Sequence, residues 1–408
     1  MNTFLLRKVQ PLLFPLTLFS LLFALSSCDD NGIVGSNITD DPPLVQSDTV
    51  YLPGTESFTI TSFSGNQDYF TAGRYNDAVF GDQQIIGMIS PSLQTSGIDS
   101  VGQSAKGYLK LHIDQVYGDR ASTGAFDIVE IERRWRASAW RPDSLPDLSS
   151  NKIIGSFEVD NEDSLRIPLD DEWLQRYAGH FNKNASAQRD SVYRQSMFGM
   201  AIVPRNDAKI LSFEAARTEL IIDHSDDEQN GDDEDQGVFR QIMRATANSI
   251  EQGSAAAPAG SKIITNNFSN TLRLRFDVDD DFIGTNNISR AELVLYEDTL
   301  SMQQDLPSSH RRPQANALYV YLLTEEETER AIIKDPEIEL LRNESDHSFR
   351  VNLTSYINSN LTGTMDVRDF YLIVRDDNGR IIPTLIHDEH SNTRRPKILI
   401  TSAKPEIE

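Results

Sequence analysis

From Thr49 onward the chain breaks into short segments in which apolar and polar residues take turns, with turn-forming residues between them. That texture predicts β-strands buried on one face and wet on the other. Tyr108–Ile113 is the clearest: Leu109, Leu111 and Ile113 fall on one side, Tyr108, Lys110 and His112 on the other. Ser57–Phe63, Phe126–Ile131, Ile153–Val159, Ser164–Leu169, Phe198–Val203 and Thr218–Ile222 continue it, Phe126–Ile131 with less cleanly divided faces. Within this half, Asp170-Asp171-Glu172-Trp173-Leu174 opens a helix. Its acidic first turn complements the helix dipole, and Trp173, Leu174, Tyr177 and Phe181 share one side.

The same themes return after an interruption. Leu272–Asp277 echoes Leu109–Asp114, Leu318–Leu323 echoes Phe126–Ile131, and Phe349–Leu353 echoes Leu165–Leu169. A helix over Thr354–Leu361 matches the Trp173 helix, Phe370–Val374 matches Phe198–Val203, and Arg395–Ile400 matches Arg217–Ile222. A repeated order of this kind predicts an all-β fold of two consecutive antiparallel jelly-roll-like β-sandwiches, each with a short helix. The expected boundaries are 49–224 for the first sandwich and 249–403 for the second, joined by an acidic linker over 225–248. Seven carboxylates crowd Ser225–Gln236, repelling one another and leaving nothing to bury, while Val238–Ala247 is open to a short strand or a helix.

The N-terminus follows neither period. Arg7 and Lys8 precede Leu12–Leu25, an apolar run interrupted only by Pro15, Thr17 and Ser20. That is the form of a secretory signal peptide, with an uninterrupted core below the roughly 20 residues a membrane helix needs. Leu25-Ser26-Ser27-Cys28 holds the only cysteine of 408 residues and resembles the lipobox of bacterial lipoproteins. The resemblance implies cleavage after residue 27 and acylation of Cys28, palmitate among the chains, which anchors the protein to a membrane without spanning it. Residues 28–48, rich in Asp, Gly and Pro, then read as a flexible tether. Asp29 and Asp30 fit an outward export signal in some bacteria and inner-membrane retention in others, which leaves the leaflet open; the outer membrane is the expected location.

Charge narrows the partners. Against 38 Lys and Arg stand 62 Asp and Glu, a formal net charge of -24. Such a field repels nucleic acid and anionic headgroups.

Catalytic signatures are absent: no Gly-x-Ser-x-Gly elbow, no His-Glu-x-x-His, no phosphate-binding glycine loop. No enzymatic activity and no cofactor are expected, apart from a candidate structural calcium. Asp277, Asp279 and Asp281 alternate as calcium-loop ligands do, although the EF-hand pattern fails at Phe282 and Ile288, and an acidic turn accounts for them equally simply. His387-Asp388-Glu389-His390 carries metal-ligand types, yet charged residues before a final strand are ordinarily solvated. Trp135, Trp140 and Tyr117, with Trp173, Tyr75 and Phe80, are candidates for a sugar-stacking platform. Arg133, Arg134, Arg136 and Arg141 offer hydrogen bonds beside the first two, and core packing is the competing account. Asp-Ser/Thr-aliphatic triplets at Asp48, Asp99, Asp143, Asp163, Asp190 and Asp298 resemble an O-glycosylation signal of Bacteroidota exported proteins; turns that lead into strands explain them as well.

Gly73-Arg74-Tyr75-Asn76-Asp77-Ala78-Val79-Phe80-Gly81, together with Arg290–Tyr296 and the closing Arg395–Ile400, is similar to an uncharacterised family of Bacteroidota surface lipoproteins whose repeats resemble carbohydrate-binding-module-like jelly rolls. The resemblance implies a lipid-anchored cell-envelope protein acting as a non-catalytic binding module, with polysaccharide as the first ligand class. A structural component of an envelope or secretion assembly, with a protein partner, is the alternative.

Overall fold

The computed structural model describes residues 44–404 apart from 60–62, 94–100, 151, 182–186, 224–237, 254, 267–269, 276–286, 305, 325–336, 362–366 and 375–377. Cys28, the acidic run and Asp277, Asp279 and Asp281 lie outside the described residues.

The first half contains β1 (Leu44–Tyr51), β2 (Thr55–Phe58), β3 (Tyr69–Asp77), β4 (Gly81–Pro91), β5 (Lys106–Asp119), β6 (Gly124–Glu130), β7 (Ile153–Val159) and β8 (Ser164–Pro168). There follow α1 (Asp171–Phe181), α2 (Ala187–Ser196), β9 (Met200–Pro204), β10 (Lys209–Glu214), β11 (Glu219–Asp223) and β12 (Val238–Gln252). The second half runs β13 (Ser261–Thr265), β14 (Thr271–Arg275), β15 (Asn287–Tyr296), α3 (Thr299–Gln303), β16 (His310–Arg311), β17 (Ala317–Thr324) and β18 (Glu337–Asn343). It ends with β19 (Ser348–Asn352), α4 (Thr354–Leu361), β20 (Val367–Val374), β21 (Pro383–His387) and β22 (Lys397–Lys404).

All pairings between these strands are antiparallel, in an 11-stranded and a 9-stranded sheet with a further two-stranded pair, arranged as sandwiches as the alternation predicts. Leu109, Leu111 and Ile113 of β5 point into the first core, where Trp173, Leu174 and Tyr177 of α1 cover them. Asp170 accepts the Trp173 amide at 2.8 Å and caps that helix. Leu293 and Leu295 of β15, Phe349 of β19 and Ile357 of α4 fill the second core. Each such side chain, buried outright, contributes about 1.5–3 kcal/mol.

Pairing corrects two expectations. The division at 225–248 does not follow the sheets: β12 begins inside the expected linker and belongs to the first sandwich, pairing β11 through Val238–Ile242 and β4 through Met243–Gln252. β1 and β2, expected in the tether and the first sandwich, belong to the second, where they pair β22 and then β14. Leu52, between them, is 2% exposed in the second core. The chain thus starts in the second sandwich, builds the first, and returns.

The second correction concerns the repeat. β11 pairs β5 and β5 pairs β8, as β22 pairs β15 and β15 pairs β19. β4 pairs β9 and β9 pairs β6, as β14 pairs β20 and β20 pairs β17. The counterpart of β5 is therefore β15, and Leu272–Arg275 answers β4 instead. The other four strand correspondences and the helix match agree with the pairings. Any alternating strand resembles any other locally, and only its neighbours tell them apart. In this scheme β1–β2 does for the second sandwich what β12 does for the first, running along the last strand and then crossing to the opposite sheet.

Several contacts join the halves, among them the short β16–β5 pairing, and two shape the β3–β4 region. Asp77, its side chain 0% exposed, accepts Arg312 Nε and Nη2, both at 2.7 Å, and the Arg312 side chain is 4% exposed. The same carboxylate accepts the amides of Val79 and Phe80 and the Tyr117 hydroxyl, so it shapes the β3–β4 turn as well as holding the other half. Burial alone would raise this carboxyl; the Arg312 and amide hydrogen bonds outweigh it and hold the group below the ordinary carboxylate value. Elsewhere the Asn378-Gly379 turn, both residues at positive φ, sits against β3: Tyr69 donates to Asn378 O at 2.7 Å, and Thr71 Oγ1 and Asn248 Nδ2 both reach Gly379 O. A Cβ on Gly379 would lie 2.0 Å from Tyr69 O, so only glycine allows this approach.

Deleting residues 44–58 is expected to strip protection from β22 and β14 in hydrogen exchange while β5 and β10 stay protected; uniform loss, or none, would contradict the pairing. Arg312→Ala leaves a buried unpaired carboxylate and is expected to cost about 3–5 kcal/mol in urea unfolding at pH 7. Because Asp77 is depressed when paired, its contribution in the wild type exists above the unfolded value near ~3.9 and fades as pH falls through the folded one. Without Arg312 burial raises the group instead, so the deficit of the variant should shrink on acidification to pH 4.

Candidate functional site

The aromatic residues singled out by sequence separate into two groups. Trp173 and Phe80 are 0% exposed, Tyr117 is 1% exposed and Tyr75 9%. They cannot meet a polymer, and Tyr117 is thereby corrected from a ligand contact to a core residue whose hydroxyl serves Asp77. Trp135 and Trp140 are half-buried in the loop after β6. Their rings stand 6.1 Å apart at 73°, edge to face, and so form no flat platform. Trp135 Nε1 donates to Phe198 O at 2.7 Å and Trp140 Nε1 to Ser249 Oγ at 3.2 Å, which ties the loop to the segment before β9 and to β12. The short turn after Trp135 is pressed down further: Ser64 donates its amide to Trp140 O, and a Cβ on Gly65 would lie 2.1 Å from Ala137 O.

Beside Trp135 opens a cavity of about 230 Å³, walled by Asn66, Arg134, Trp135, Arg136, Ala137, Ser138, Arg194, Phe198, Arg244 and Ala245. Ligand sites for drug-sized molecules usually span roughly 300–1,000 Å³, so this one suits a single ring or headgroup. Arg134 and Arg136 come from the loop, Arg194 from the last turn of α2, and Arg244 from β12. The register of β12 against β4 slips between Met243 and Ala245, which pair Pro91 and Ser90 in turn. Arg244 is the extra residue of that bulge, and a bulge re-aims its side chain away from the regular alternation. Its Nη2 donates to Ser90 Oγ at 2.8 Å, and its guanidinium carbon lies 5.5 Å from the centre of the Tyr193 ring. Tyr193 is fixed in turn by donating to Pro91 O at 2.7 Å. Burial first, then the positive charges of Arg194 and Arg134, lower the Arg244 pKa from its ordinary value against the pull of Tyr193. An arginine so perturbed still carries its charge at neutral pH.

The four arginines expected to help the tryptophans also part company. Arg133 pairs with Asp147 at 2.7 Å and Arg141 with Asp143 at 3.2 Å, whereas Arg134 and Arg136 face the cavity.

The other candidates among the described residues gather no site. Among the described residues no three His, Cys, Asp or Glu side chains converge as a metal would require. In the His387–His390 segment, Asp388 turns inward to accept the His390 amide at 2.8 Å, Glu389 accepts the Thr55 hydroxyl, and the His390 side chain is 75% exposed. Of the triplets, Asp298 caps α3 by accepting the Ser301 amide at 3.1 Å, the turn-forming role that physical chemistry assigns it. Among the described residues no helix is long and apolar enough to cross a membrane.

No protein-family model matches the chain, and no curated protein matches it. Among solved structures it is similar to that titled "Structure of infectious bursal disease virus Gx strain" at 10% identity, covering 89% of this chain and 77% of that one with a TM-score of 0.11. It is also similar to the Sputnik virophage structure at 7% identity, covering 90% and 87% with a TM-score of 0.09. Overlap at that level carries no argument about this chain.

Asn66, Arg194 and Arg244 belong to the cavity and were not foreseen. Asn66 sits at positive φ in a turn, α2 lacks a clear apolar stripe, and a bulge depends on the partner strand. The single sequence clue was the run of arginines flanking Trp135.

Proposed function

We propose that this protein is a lipid-anchored, non-catalytic binding module of the cell envelope, acylated at Cys28, held at the outer membrane, with a polysaccharide as its ligand. The observation that carries the reading is the cavity beside Trp135: it is sized for one sugar unit, offers an indole and hydrogen-bond donors together, and is walled by a loop, the end of α2 and the bulge of β12. The lipobox-like Leu25–Cys28 and the sandwich fold support the location and the class of module. A protein partner in an envelope assembly is the second reading. It is favoured by β1, an edge strand that exposes Val45 at 67% and Tyr51 at 55% and so invites an added strand.

Full-length protein in detergent should bind a subset of a glycan array, and Trp135→Ala should lose that binding while its melting transition remains; binding that survives both Trp135→Ala and Trp140→Ala would refute this site. Cys28→Ser should abolish palmitate incorporation and move the protein to the soluble fraction, and continued labelling would dismiss the anchor.

A further inference from the structure

The chain carries a formal net charge of -24, yet four arginines converge on one small cavity. In most of the molecule arginines are matched: Arg74 with Asp82, Arg176 with Glu130, Arg273 with Asp369 and Arg342 with Glu297. At the cavity, as at a few scattered arginines such as Arg311 and Arg394, the matching stops, and here four unmatched arginines lie together. None of Arg134, Arg136, Arg194 and Arg244 has an ion-pair partner among the described residues, although acidic residues outnumber basic ones along the chain. All four are exposed, so water screens their mutual repulsion, and an anion between them would lower it further. The arrangement is also built. A strand bulge directs Arg244, a serine hydroxyl and a tyrosine ring hold its guanidinium, and Trp135 is fixed by its own hydrogen bond to the Phe198 carbonyl.

We infer that this cavity binds an oxyanion, a carboxylate or a sulfate ester, presented by an acidic sugar of the ligand. The inference rests on the polysaccharide reading and deepens it from polysaccharide to polyanionic polysaccharide. Guanidinium groups suit this task because their forked donors match the two oxygens of a carboxylate or sulfate. Burial is the first cause of the lowered Arg244 pKa, and the positive charges of Arg194 and Arg134 add to it. Trp135 and Phe198 give the ring that bears the anion an apolar wall. Because the chain as a whole is strongly acidic, a polyanion is attracted at this arginine cluster and repelled by most of the rest, so it is selected by its charged unit at one point.

Calorimetry on the full-length protein in detergent tests this with four probes: oligogalacturonate, a sulfated chondroitin oligosaccharide, carboxyl-reduced oligogalacturonate as a neutral isostere, and sodium sulfate. An acidic oligosaccharide should bind, its neutral isostere at least about tenfold more weakly, and affinity should fall as salt rises through the screening range. Arg134→Gln with Arg194→Gln, both exposed, should remove the preference without moving the melting temperature, and Arg244→Lys, which keeps the charge and loses the fork, should weaken it in part. Equal binding of the acidic and reduced oligosaccharides would overturn the oxyanion site and leave the polysaccharide reading standing. Sulfate binding that matches the oligosaccharides and vanishes in the double variant would uphold the oxyanion site and overturn the polysaccharide reading. Binding of none of the four overturns the oxyanion site, and a glycan array that is silent as well overturns both.

Discussion

A sandwich must satisfy the backbone of its last strands, and in this molecule each sandwich does so with one stretch of chain that runs along one sheet and then crosses to the other. In the first, β12 performs both tasks without interruption, pairing β11 and then β4. In the second, the task falls to β1 and β2 with Leu52 buried between them. The second sandwich is therefore complete only when the beginning of the described chain has met its end, Leu44 opposite Lys404. Contacts of such separation carry a loop-closure cost and raise the contact order, which slows folding. They also interlock the halves, since the first sandwich is spelled out between the two parts of the second.

The remaining contacts between the halves follow from that interlock. The turn of β3 into β4 carries the Gly73–Gly81 motif, and nearly every residue type in it has a mechanical reason. Gly73 and Gly81 take positive φ, Tyr75 packs on Tyr117, Phe80 lies beneath Arg312, and Asp77 accepts from both sides. The Gly73–Gly81 motif is the seat of an inter-sandwich latch. Replacing an ion pair of this kind by apolar residues could leave stability unchanged, but removing one partner cannot, because the other stays buried and charged. Ile263, Met302, Ile381 and Leu385 from one half pack against Tyr75, Phe80 and Tyr117 from the other, so the latch sits in an apolar seam that excludes water.

Charge organises the surface differently. The acidic excess makes most arginines structural, each absorbed by a neighbouring carboxylate. The cavity by Trp135 departs from that rule, and it is assembled from four separate stretches: the turn at Asn66, the loop after β6, the end of α2 and the bulge of β12. Two of those, α2 and β12, were not expected as elements of the first sandwich at all.

Sequence alone determined the strands whose faces alternate, β5, β8, β11 and β20 among them, because alternation is a local consequence of one wet and one dry face, while β3, β4 and β10 went unread. It also determined α1 through its acidic first turn and the spacing of Trp173, Leu174 and Tyr177. It also pointed to the neighbourhood of the site, through arginines packed around Trp135. Tertiary structure decided which strands are neighbours, and with that the true counterpart of β5, the membership of β1, β2 and β12, and the burial of Tyr117. It decided too which arginines are neutralised and which face the cavity, since Arg133 and Arg134 are adjacent in the chain and differ only in what the fold brings to them. The reason is the same throughout. Periodicity reports the faces of an element, whereas pairing, bulges and charge compensation are properties of two elements at once, and a single strand of text contains only one of them.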